Sequence, residues 1–304
     1  MIALGILLMV LTGVGWAAAG VMISAGTTKK ISIPEALCYS SLLTGIVAAV
    51  LLWLRPDQPA DGHIRLLALT SIAAAGFLNF LHLEMMSIAM RNGPNGIAWA
   101  VIQSGMVVPF LVGTIAFGEK AGFTRFVGLG LLLVALALFA RARDNSPQVQ
   151  GNRKIWLLTS GADFFCVGLI QTLNNLPSYF QAADTVSTVS RTFALQVGAV
   201  GAWLLLSAFH PRQAVRGFTR GALLLGVVMA VNAILSGFFI QYYGQNILAQ
   251  SGFGAVASPI TSASCLIWFT LYSTVFLKEK LSLPSRLALA FCIVGVVLMS
   301  LQWH

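Results

Sequence analysis

The chain has 304 residues, of which 58% are hydrophobic and only 9% charged, with a formal net charge of +9. A soluble domain carries about 25% charged residues, so this chain cannot cover a water-facing surface and reads as an integral membrane protein. The basic excess fits Lys and Arg gathered in cytoplasmic loops, and the absence of a basic run with interleaved aromatics argues against a nucleic-acid partner.

Ten apolar runs, each long enough to cross a bilayer as a helix, follow one another along the chain. They cover approximately 3–25, 36–54, 65–90, 95–117, 122–140, 155–178, 186–209, 219–244, 253–277 and 284–302. The runs are continuously apolar and do not alternate, which argues against a β-barrel. The fold class expected is therefore all-α integral membrane.

The first run lacks a basic leader and reads as a span, with no cleaved signal. It places Trp16 after Gly-Val-Gly, where small residues let helices approach closely. In the third run Asn79 and His82 are three apart and share a face. Glu84, two residues on, points to the other side and shares its face with Arg91 seven residues later. A structural ion pair competes there with a proton site. The fourth run offers Trp99 and Gln103.

The sixth run carries Asp163, Gln171 and Asn174 on one stripe. An acid at membrane depth is costly unless functional, and amides supply both donors and acceptors to a hydroxylated solute. Asp163, Glu84 and His82 are the proton-coupling candidates, with Asp163 first because its own helix offers no nearby basic partner. In the eighth run Asn232, Ser236, Phe239, Tyr243 and Asn246 form a stripe at spacings of 4, 3, 4 and 3. Gln241 and Gln245 lie off it. The ninth run adds Trp268, and Pro259 is expected to interrupt the helix beside a cavity. The substrate-binding candidates are Trp16, Asn79, Trp99, Gln103, Gln171, Asn174, Asn232, Tyr243 and Trp268.

Two phrases recur 160 residues apart: TIAFGEK at 114–120 and TVFLKEK at 274–280. Each stands between the fourth and fifth run of a half. The chain reads as a duplicated five-helix unit: residues 1–140, a polar linker at 141–154, and residues 155–304. Because five is odd, the second copy enters the membrane inverted, a plan common among secondary transporters. Glu119 and Glu279, at helix ends beside Lys, read as caps or inter-helix hydrogen bonds. Thirteen Lys and Arg fall in odd-numbered connections against four in the others, with Arg191 left over inside the seventh run. That asymmetry puts the odd connections in the cytoplasm and both termini outside.

The paired G-E-K and K-E-K endings, with ten runs in two fives, resemble the drug/metabolite transporter superfamily in its EamA-like branch. ISAGTTKKISIPEAL after the first run, AMRN at 89–92 and VFLKEK at 275–280 are similar to the rhamnose–proton symporter and related sugar porters. The resemblance implies proton-coupled uptake of a rhamnose-like sugar in a bacterial inner membrane. The G-E-K ending is nearer the exporter-like branch, so export of amino acids, drugs or other metabolites stays open. A non-transporting scaffold or lipid-binding protein is the reading from another class, and the polar stripes within the membrane argue against it. The four cysteines lie in apolar runs, and no metal cluster, nucleophile triad or phosphate loop is visible, so neither an enzyme nor a cofactor is expected. The expected partners are a small-molecule substrate, protons and the lipid bilayer.

Overall fold

Helix is the only regular structure among the described residues of the computed structural model, which are 1–57, 62–93, 95–141, 151–180, 186–209, 218–278 and 282–300. Lipid offers no partners to backbone N–H and C=O groups, so a spanning segment must satisfy them internally. The helices are α1 Ile2–Thr28, α2 Ile33–Leu54, α3 Gly62–Asn92, α4 Asn95–Gln103, α5 Val107–Ile115 and α6 Phe123–Arg141. They continue with α7 Arg153–Tyr179, α8 Thr188–Phe209, α9 Arg220–Ser236, α10 Tyr242–Gln250, α11 Gly254–Val275 and α12 Leu283–Ser300. Among the described residues, seven segments are long and apolar enough to cross a membrane: α1, α2, α3, α7, α8, the continuous 220–250 segment and α11. Shorter apolar helices cover Val101–Ile115, Phe123–Ala135 and Leu283–Met299.

Helix starts follow local chemistry. Asn152 caps α7 by accepting from the backbone N–H of Lys154 and Ile155, and Thr219 caps α9 by accepting from Ala222. Two breaks were not legible as such. The fourth run divides into α4 and α5 around a tight turn at Ser104–Met106, where Pro109 has no N–H to give the Gly105 carbonyl. The eighth run divides into α9 and α10 around a wide π turn at Gly237–Gln241. Conversely, α11 runs unbroken through Pro259. That proline sits in the second turn, where only one intrahelical bond is lost.

The packing partners are α3 on α7 and α8, the α9–α10 segment on α1 and α2, α1 on α11, α7 on α4–α5, and α6 on α12. Glycine sets the closest of these approaches. A Cβ at Gly76 would overlap the Leu195 backbone, and one at Gly198 would overlap the Ala73 backbone, so α3 and α8 meet backbone to backbone. Gly118 and Lys278, 160 positions apart, both take left-handed φ, +65° and +55°. The Glu279 position lies outside the described residues.

Candidate functional site

A central cavity of about 170 Å³ lies among α1, α2, α3, α4, α7, α8 and the α9–α10 segment. An engineered cavity of about 150 Å³ admits benzene, so this one suits a small metabolite. Of the residues singled out in the sequence, Trp16, Asn79, His82, Trp99, Gln103, Gln171, Asn174 and Asn232 line it. Tyr243 and Trp268 are 53% and 50% exposed and face away from it. Ser40, Ser41, Thr192, Gln196, Gln241 and Tyr242 also line it and were not legible as a group.

The π turn explains the exchange of Tyr243 for Tyr242. One extra residue in the turn rotates everything after it by about 100° relative to a regular helix. The stripe from Asn232 and Ser236 therefore continues through Gln241 and Tyr242, while Phe239 and Tyr243 turn outward.

The lining is mostly apolar surface studded with amide, hydroxyl and imidazole groups, and among the described residues it holds no Asp, Glu, Lys or Arg. Trp99 forms one wall. It donates Nε1–H to Cys265 Sγ at 3.2 Å and stacks on Phe269 with ring centroids 4.8 Å apart. Asn232 donates to the Gly15 carbonyl at 3.0 Å, and Gln171 to Ser262 Oγ at 3.1 Å. The Gln171 Oε1 and Gln103 Oε1 atoms are buried without a hydrogen-bond partner among the described residues.

The sequence left Asp163 and His82 as alternatives; the fold joins them. His82 Nδ1 on α3 and Asp163 Oδ1 on α7 are 2.7 Å apart, with Asp163 fully buried behind the cavity wall. The second carboxylate oxygen, Oδ2, has no hydrogen-bond partner among the described residues. Asp163 thus has a basic neighbour after all, supplied by another helix. Glu84 is off the cavity, its Oε2 is buried without a hydrogen-bond partner among the described residues, and it forms no ion pair with the exposed Arg91.

The cavity thus has amide and indole walls, with a buried acid–imidazole pair at its edge, among apolar helices. Residues 3–141 match the EamA-like transporter family. This agrees with the drug/metabolite transporter superfamily resemblance of the sequence. Comparison with curated proteins gives no match. One protein of known crystal structure is similar over 97% of this chain and 96% of its own, with a TM-score of 0.65 and 14% identity. That likeness is one of fold. The EamA-like match and the apolar helices together support an integral membrane protein that transports small solutes.

Within the EamA-like segment, the G-E-K phrase has a structural task. Glu119 Oε2 accepts the backbone N–H of Ala255 at 2.7 Å, in the first turn of α11. A carboxylate there satisfies an orphan donor and meets the positive end of the helix dipole. Burial pushes the Glu119 carboxyl above the usual carboxylate range, while the hydrogen bonds from Ala255 and Gly254 pull it back. Phe117 stacks on Tyr179 with centroids 4.1 Å apart, and Arg125 lies 4.5 Å over the Phe253 ring. The connection between α5 and α6 is thus tied to the start of α11 and the end of α7.

Proposed function

We propose that the chain is a proton-coupled secondary transporter of a small hydroxylated solute of the sugar type, built as two inverted five-helix repeats spanning 1–140 and 155–304. The observation that carries the reading is the His82–Asp163 pair at the cavity wall. It bonds a helix of the first half to a helix of the second. Taking up a proton changes the strength of that bond, and so biases how the halves pack around the cavity. Solute bound in the same cavity biases the same equilibrium, which is what coupling requires.

The duplication draws support from the packing. Exchanging the halves turns α3 on α7 and α8 into the α9–α10 segment on α1 and α2, and α1 on α11 into α7 on α4–α5. The shared left-handed turn at Gly118 and Lys278 fits the same exchange. Ten spans follow if the α4–α5 and α9–α10 segments each count once. The amides offer donors and acceptors to hydroxyls, and Trp16 and Trp99 offer flat faces to the apolar side of a ring. The experiment is uptake of labelled sugars and amino acids into proteoliposomes with and without a pH gradient. Accumulation that follows the gradient is expected; solute entry indifferent to pH would remove the proton from the mechanism.

A further inference from the structure

Arg191, in the first turn of α8, is fully buried. Its Nη1 donates to Ser178 Oγ at 3.1 Å and to Asn246 Oδ1 at 3.0 Å, both neutral acceptors. Its guanidinium carbon lies 5.8 Å from the centre of the Tyr242 ring. Nε and Nη2 have no hydrogen-bond partner among the described residues. These two nitrogens share one edge of the guanidinium, and their N–H bonds point the same way. That fork matches the two oxygens of a carboxylate. No described acid closes it: Asp57, bonded to neighbouring Ser190, pairs with Arg65. A buried cation without a counter-charge is strongly unfavourable.

Arg191 stands directly behind the cavity wall. Thr192, the next residue, and Tyr242, which it packs against, both line the cavity. Tyr242 also donates to Asn174 Oδ1, another lining group, at 3.4 Å. We infer that Arg191 is the anion-binding residue of this site, and that the transported solute carries a carboxylate beside its hydroxyl groups. The inference rests on the transporter reading above and narrows its substrate class.

The test uses the full chain purified in detergent, read by thermal unfolding and by competition binding. The probes are acetate, lactate and gluconate, each against a neutral counterpart: acetamide, lactamide and glucose. Glucose 6-phosphate is the phosphate arm. The expected result is stabilisation by the carboxylates and none by the neutral compounds. Arg191→Gln should weaken carboxylate binding at least tenfold, and Arg191→Lys, which keeps the charge but not the fork, should fall between. If Arg191→Gln does not fold, the acid-against-neutral comparison on the unaltered protein decides. No stabilisation by any carboxylate, equal stabilisation by acid and neutral partner, or a response to glucose 6-phosphate alone overturns the inference. Proton-driven glucose uptake with no response to gluconate would sink it while leaving the transporter reading intact; absence of flux for every solute strikes that reading instead.

Discussion

On the proposed mechanism, Asp163→Asn should separate proton coupling from solute binding. The substitution keeps the side-chain shape and leaves an oxygen to accept from His82 Nδ1, now 2.7 Å from Asp163 Oδ1. The stability cost is the difference between a charge-assisted and a neutral hydrogen bond, about 1–2 kcal/mol. What is lost, on the proposed mechanism, is the group that binds and releases the proton. Among the described residues one such pair stands at the cavity, and on the proposed mechanism it carries one proton per solute. A gradient of one pH unit then supplies about 1.4 kcal/mol, or about tenfold accumulation. The assay is uptake into proteoliposomes under an inward proton gradient, alongside exchange of labelled for unlabelled solute at equal pH. The unaltered protein should approach tenfold accumulation. The variant should only equilibrate solute, with exchange retained. Full pH-driven accumulation by Asp163→Asn, at normal expression, would refute the assignment and move attention to Glu84.

Glu119→Ala removes the acceptor of the Ala255 N–H and should destabilise the fold by about 1–3 kcal/mol, read as a lower unfolding temperature; Glu119→Gln, which keeps an acceptor, should lose less, and equal stability in all three proteins would dismiss the cap. Gly198→Leu drives a side chain into the α3 backbone at Ala73, whereas a side chain at Gly201 meets open space. The first should abolish folded expression and Gly201→Leu should not, and tolerance of both would contradict the close α3–α8 contact. Lys30→Cys and Lys120→Cys should label with an impermeant maleimide from opposite faces of the membrane, with residue 30 on the cytoplasmic side as the distribution of Lys and Arg implies; labelling from one face would break the span order.

The helices were legible in the sequence because lipid imposes one demand on every spanning segment. Its side chains must be apolar, and its backbone must bond to itself. That is why the apolar runs coincide with helices to within a few residues. Shared faces were legible for the same geometric reason: Asn79 with His82 on one helix, and Gln171 with Asn174 on another, all of which reach the cavity. The sequence also marked Glu119 as an edge contact, since an acid beside a helix end has an orphan donor to meet.

Periodicity says which residues share a face but not what that face meets. Only the tertiary structure brought His82 to Asp163 across 81 residues, and set Arg191 among Ser178, Asn246 and Tyr242. Those meetings depend on how closely two helices approach, which here is fixed by glycines at crossing points. The π turn at Gly237–Gln241 was likewise beyond the sequence reading, because a run of apolar residues looks the same whether or not one of them is extra. That single residue decides that Tyr242 lines the cavity and Tyr243 faces outward.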